Sequence, residues 1–224
     1  YEPCTIAQIR AYKPQSSSLG CGQVLPCPYT ADKARIVVQE MIDGISLELV
    51  EKRLVTDQLV LTVGYDIENL TRPEIRKVYK GPVTTDRYGR RVPKHAHGTW
   101  NLPRATSSSS ELLEAMAALY DKIVNPALLI RRMSLSACHV VNEKMAKERE
   151  QKETFEQLDL FTDYAKKEAK EKEEQKKRER ERRMQEALLT IKKKYGKNAV
   201  LRGMNFEEGA TAKERNGQIG GHQA

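Results

Sequence analysis

The sequence predicts an α+β fold: a four-stranded sheet with two helices on one face, a split β-α-β arrangement, trailed by a long charged helical and flexible tail. Three observations predict it. Apolar residues alternate with period two over 58–65, 97–104 and 130–141. They recur at helical spacing over 31–49 and again from Leu112 to Ile123. Beyond Asn142 the chain turns to Lys, Glu and Arg, with few residues able to form a core.

The elements follow in order. Residues 5–12 form a short helix capped by Thr5, with Ile6 and Ile9 on one face and Pro14 preventing continuation. Residues 1–14 therefore look like the end of a preceding domain, and 15–20 have linker chemistry. A folded domain is expected over 21–142. It opens with a strand at Gly22–Leu25 that Pro26 and Pro28 should stop. Thr30 is a plausible N-cap for the first long helix, whose face is Ala34, Val37, Val38, Met41, Ile45 and Leu49. In the next strand Leu59, Leu61, Val63 and Tyr65 point one way and Val60, Thr62 and Gly64 the other.

From Asp66 to Ala96 periodicity disappears and cations outnumber carboxylates, which predicts a basic excursion with a hairpin about Tyr88-Gly89. Alternation returns with Trp100 and Leu102 opposite Thr99 and Asn101. Ser108 and Glu111 are spaced as a capping box for a helix bearing Leu112, Met116, Leu119, Tyr120 and Ile123. In the last strand Met133, Leu135 and Ala137 form an apolar face, while Arg132, Ser134 and Ser136 offer a guanidinium and hydroxyls to a phosphate. The charged tail, 143–224, has no sustained heptad, so a coiled coil is not expected. Leu188, Leu189, Ile191 and Tyr195 form a short amphipathic turn that Gly196 can cap, and composition predicts disorder from Gly209 to Ala224.

Composition narrows the class. Of 224 residues 39% are hydrophobic and 6% aromatic, low for a wholly compact chain. The net charge of +8 favours an anionic partner, nucleic acid before a membrane surface. No apolar run approaches the ~20 residues that span a bilayer, and no signal peptide opens the chain, so a cytoplasmic location is expected. Cys4, Cys21, Cys27 and Cys138 lack zinc spacing, and the His95-x-His97 pair is read as polar residues at a loop-strand junction; no metal or other cofactor is assigned. The chain begins at Tyr1, as a fragment or a processed product would.

One stretch of the tail stands apart. Gln157-Leu158-Asp159-Leu160-Phe161 is a short apolar hook between charged flanks, suited to a pocket on another protein. The competing reading is the last apolar turn of a helix.

Several separated runs resemble bacterial Y-family translesion DNA polymerases of the UmuC/ImpB/MucB type. Ala7-Gln8-Ile9-Arg10-Ala11-Tyr12-Lys13-Pro14, followed by Ser16-Ser17-Ser18 and Leu19-Gly20-Cys21-Gly22-Gln23-Val24-Leu25, resembles their passage from thumb to little finger. The split β-α-β order with His97-Gly98-Thr99 before Trp100-Asn101-Leu102 is similar to their little-finger domain. The run Ala210-Thr211-Ala212-Lys213-Glu214-Arg215-Asn216-Gly217-Gln218-Ile219-Gly220-Gly221-His222-Gln223-Ala224 resembles a C-terminal signature of one branch. Gln157 to Phe161 resembles the pentapeptide with which bacterial polymerases hook the sliding clamp.

The resemblance implies a role in DNA repair and lesion bypass. By it, Gln157 bonds at the rim of the clamp pocket, Leu158, Leu160 and Phe161 fill apolar subsites, and Asp159 matters less. It also implies that magnesium-binding carboxylates reside on palm and fingers domains preceding Tyr1, since Asp57 and Asp66 here suit a turn role. The fragment alone should not polymerise DNA. Its expected partners are damaged or primer-template DNA and the sliding clamp.

Phosphate contacts are expected from backbone near Ser18 and Gly20, from hydroxyls of Thr99, Thr106, Ser134 and Ser136, and from Arg104, Arg131 and Arg132. The alternative class is a non-enzymatic basic adaptor for RNA or DNA with a charged helical spacer. An RNA-reading sheet would display aromatic rings, and Trp100 and Tyr65 fall with the apolar sets instead.

Overall fold

The computed structural model describes residues 4–12, 17–86, 88–153, 164–219 and 222–223. Helix α1 (Ile6–Ala11) is followed by β1 (Leu19–Tyr29), α2 (Ala31–Lys52) and β2 (Leu54–Tyr65). The basic stretch holds α3 (Glu68–Thr71), α4 (Pro73–Val78) and a hairpin of β3 (Val83–Thr85) with β4 (Arg91–Pro93). Then come β5 (Ala96–Thr106), α5 (Ser109–Ile123), β6 (Ile130–Cys138) and β7 (Val141–Asn142). The remainder is α6 (Glu143–Glu153), α7 (Tyr164–Tyr195), a 3-10 turn (Gly203–Phe206), α8 (Ala212–Arg215) and the pair β8 (Gln218–Ile219) and β9 (His222–Gln223).

The fold is α+β, with an antiparallel main sheet in the order β1-β6-β2-β5. Register explains the core. Leu59 faces Ala137 and Trp100, Leu61 faces Leu135 and Gly98, and Val63 faces Met133 and Ala96, so one set of alternating residues forms a continuous apolar face. Helices α2 and α5 pack on it through Val37, Val38, Met41, Ile45, Leu49, Leu112, Met116 and Leu119, all buried. Each such side chain contributes about 1.5–3 kcal/mol by leaving water.

Gly98 lets α5 approach β5 closely: a Cβ there would stand 2.8 Å from Ile123 Cγ2 and 3.0 Å from Leu119 Cδ1. Gly98→Val is expected to destabilise the domain by about 1–3 kcal/mol through overpacking, read from the urea midpoint. Ile123→Ala in the same chain should recover part of that loss. Additive losses in the double variant would dismiss close approach as the reason for this glycine.

Several expectations change. Strand β1 continues through Pro26 and Pro28 instead of stopping at Leu25, because it is an edge strand and a missing N–H on its outer side costs no ladder bond. Pro103 is accommodated the same way on the opposite edge strand, β5. Strand β2 starts four residues before Gln58, at Leu54, where it pairs β7. The Ser108 cap forms, accepting from Glu111 N at 3.3 Å, but the reciprocal half of the box does not: Glu111 turns to Arg104 and Arg178. Ser108 N instead donates to Thr106 Oγ1 at 3.1 Å. The expected hairpin is present, with Gly89 at φ +78 in its turn, alongside two short helices that periodicity did not reveal.

The largest change concerns the charged tail. The half of α7 nearest Tyr195 rests on the domain. Gln185 is 2% exposed, and its Nε2 donates to Ser107 O at 3.1 Å and Ser109 Oγ at 2.8 Å. Ser109 Oγ in turn lies 2.7 Å from Ser46 Oγ of α2. Glu181 accepts from Ser110 N at 2.9 Å and Ser108 Oγ at 2.7 Å, placing a carboxylate at the positive end of α5. Gly196 ends α7 at φ +96, as expected.

The following segment, for which composition predicts disorder from Gly209, is a strap across α2. Glu40, only 6% exposed, accepts from Thr211 N at 2.8 Å, Ala212 N at 3.0 Å and Asn205 Nδ2 at 2.8 Å. Arg215 and Thr211 bond the side chain of Gln23 on β1. Asp43 Oδ1 sits 2.7 Å from Arg202 Nη2, an ion pair rather than a well-directed hydrogen bond. Burial pushes the Asp43 carboxyl above its usual range, and Arg202 opposes that shift. Composition predicted disorder because it counts few apolar residues; this strap is held by polar groups that meet a buried carboxylate.

Candidate functional site

The sheet face away from the helices is the candidate site. Strand pairing aligns its residues in rows: Gly20, Ser136, Val60 and Thr99 in one, and Gly22, Ser134, Thr62 and His97 in the next. Val24, Arg132 and Gly64 form a third row, and Cys138, Gln58 and Asn101 a fourth. None of these positions carries a carboxylate. Arg132 lies across Gly64, where a Cβ would come within 2.6 Å of Arg132 Cγ, so the guanidinium stem is held down on the face. Thr62 Oγ1 lies 2.9 Å from His97 Nδ1, and Gln58 Nε2 donates to Asn101 Oδ1 at 2.9 Å. From Gln58 to Gly64 the face runs about 20 Å along the strands at ~3.3 Å per residue.

Of the residues chosen from sequence, the fold brings Gly20, Thr99, Arg132, Ser134 and Ser136 onto this face. Ser18 is exposed just before β1. Three others are engaged elsewhere. Thr106 is buried opposite Thr56 at the end of β5 and accepts from Ser108 N. Arg104 pairs with Glu111 of α5. Arg131 lies at the register shift of β6, 3.9 Å from Asp66 Oδ2. Gln58, Thr62 and His97 also belong to the face, and only strand parity could have marked them in the sequence. The stretch Gln157, Leu158, Leu160 and Phe161 lies outside the described residues. Arg182 Nη2 of α7 is 3.3 Å from Glu143 Oε2, the first residue of α6.

Among the described residues no three His, Cys, Asp or Glu side chains converge to hold a metal ion, and no helix is long and apolar enough to cross a membrane.

The fold and face together define an α+β domain with an open, acid-free polar sheet. No protein-family model matches the sequence, and no curated protein matches it. A solved structure that aligns with the chain is a complex of the beta-clamp processivity factor and the little finger domain of PolIV. It is 9% identical, with a TM-score of 0.36, and the alignment covers 65% of this chain and 100% of that one. The likeness is weak in sequence and in shape.

Proposed function

We propose that this chain is the DNA-gripping and clamp-docking region of a bacterial translesion DNA polymerase, as its sequence motifs imply. The observation that carries the reading is the open sheet face. It presents hydroxyls, amides, glycines and one guanidinium in register, with no carboxylate to repel phosphate. Three interstrand gaps of ~4.8 Å make it about 14 Å across, wider than the two-stranded ribbon that the major groove admits, so the face would lie over the groove against the flanking phosphates. Short side chains that bond phosphate and sugar hold a duplex without reading its bases, which suits a template carrying lesions. The magnesium of polymerisation and the carboxylates that hold it belong, in this reading, to palm and fingers domains of the same enzyme. The stretch 157–161 is its hook for the sliding clamp.

The RNA-adaptor alternative is less well supported. Stacking of unpaired bases calls for aromatic rings on the open face, whereas Trp100 packs against the core and Tyr65 is buried, its hydroxyl accepting from Asn125 N at 3.0 Å. Burial also pushes the Tyr65 hydroxyl above its ordinary pKa, so it stays neutral.

The test is Ser134→Glu with Thr99→Glu, assayed by fluorescence anisotropy on a primer-template duplex. Carboxylates on this face are expected to weaken binding tenfold or more, about 1.4 kcal/mol at the least, through like-charge repulsion. Unchanged affinity would remove the sheet face from the DNA-binding surface.

A further inference from the structure

The open face binds without much charge of its own: Arg132 is the one permanent cation in its rows. The charge lies just beyond its end. Gly64 pairs Arg132 and Val63 pairs Ala96, so the insertion between β2 and β5 leaves and re-enters the sheet at the end where Arg132 sits.

The insertion is fixed in place. Asp66 N donates to Leu129 O at 2.9 Å, and the buried Asn69 bonds Leu129 through both its amide groups, at 2.8 and 2.7 Å. Ile75 and Tyr79 pack against the core, and Tyr79 Oη donates to Pro82 O at 2.8 Å. On this fixed frame the acids are mostly consumed: Glu68 by Arg72 at 2.5 Å, Asp86 by Arg90 at 2.8 Å, and Asp66 by Arg131 at 3.9 Å. Arg76, Lys77, Lys80, Arg91 and Lys94 are exposed and have no ion-pair partner among the described residues, with Glu74 as the remaining acid. Among the described residues of 66–95, these five exposed cations without an ion-pair partner give the insertion a different character from the neutral sheet.

We infer that the insertion is a second DNA contact, a basic flap that takes the phosphate backbone of the duplex as it runs off the end of the sheet. This rests on the DNA-gripping reading above and divides the grip into two parts. The sheet gives close, nearly salt-independent contact through hydroxyls and amides. The flap gives the electrostatic term, through release of counterions from the phosphates its cations neutralise. A fixed frame matters because the backbone that carries the cations need not be ordered on binding, which leaves only their side-chain entropy to be lost.

The experiment compares salt dependence. The full chain and a variant carrying Arg76→Gln, Lys77→Gln, Lys80→Gln, Arg91→Gln and Lys94→Gln are titrated with a primer-template duplex between 50 and 200 mM salt. All five side chains are solvent-exposed, and thermal unfolding of the variant serves as the check that the fold is retained. At a slope of about −0.9 per phosphate contact, five lost contacts lower the slope by about 4.5, and the fourfold salt range then changes the affinity about 500-fold less than in the parent. Ser134→Glu with Thr99→Glu should shift the whole line while changing its slope far less. A folded variant that keeps the parental slope overturns the flap while leaving the sheet grip standing. A parent chain that binds no duplex overturns the DNA reading itself. Equal binding of the parent to anionic phosphatidylserine vesicles, lost in the variant, would reassign the flap to a lipid surface.

Discussion

Glu40→Ala is expected to release the C-terminal strap from α2. The carboxylate is buried and accepts two backbone N–H groups at the start of α8 and the Asn205 amide, with both oxygens used. Without it those donors would be left without acceptors in a site water barely reaches, so the strap comes away rather than remain unsatisfied. The loss is about 3 kcal/mol of docking free energy. Global stability falls by no more than that, because the sheet and its two helices keep their core. Glu40→Gln should be nearly as damaging, since one end of its amide would point donors at donors. The measurement is trypsin cleavage after Lys213 and Arg215, together with hydrogen exchange at the Thr211 and Ala212 amides. Both should accelerate by two orders of magnitude, the equivalent of that free energy. Protection equal to the parent's would mean that the strap is held elsewhere, by Gln23 or Asp43.

The second large effect concerns the clamp. In the proposed clamp-docking reading, Leu160→Ala with Phe161→Ala removes two apolar anchors, and capture of the sliding clamp is expected to weaken at least 100-fold, since truncated anchors of this kind cost about 2 kcal/mol or more each. Duplex binding should change less than twofold. Clamp capture that survives both truncations would sink the docking assignment, and a parallel loss of DNA binding would mean that the segment supports the fold.

Strand parity was legible wherever both faces of a strand were chemically distinct. The apolar set Leu59, Leu61 and Val63 and the polar set Arg132, Ser134 and Ser136 are buried and open respectively, because a sheet with helices on one side sorts alternate residues by hydrophobicity alone. The same rule failed at the edges. Proline reads as a strand terminator unless the strand is known to be an edge, and edge position is a property of the whole sheet. Thr106 and Arg104 looked available for phosphate in the sequence, and only the arrival of α5 shows that one is buried at a strand end and the other is paired with Glu111.

By itself the sequence determined the α+β class, the strand faces, the helix starting at Ser108 and the excess of positive charge, all of which follow from local period and composition. The tertiary structure alone decided where the tail goes. Gln185 finds Ser109 at a separation of 76 residues, and Thr211 finds Glu40 at 171. Polar partners that far apart leave no periodic trace, because a hydrogen bond is set by the position of two groups in space, whereas hydrophobic burial is set by the pattern of one segment. It also decided which cations are free: the sequence counts charges, and only the fold shows which carboxylates lie close enough to neutralise them.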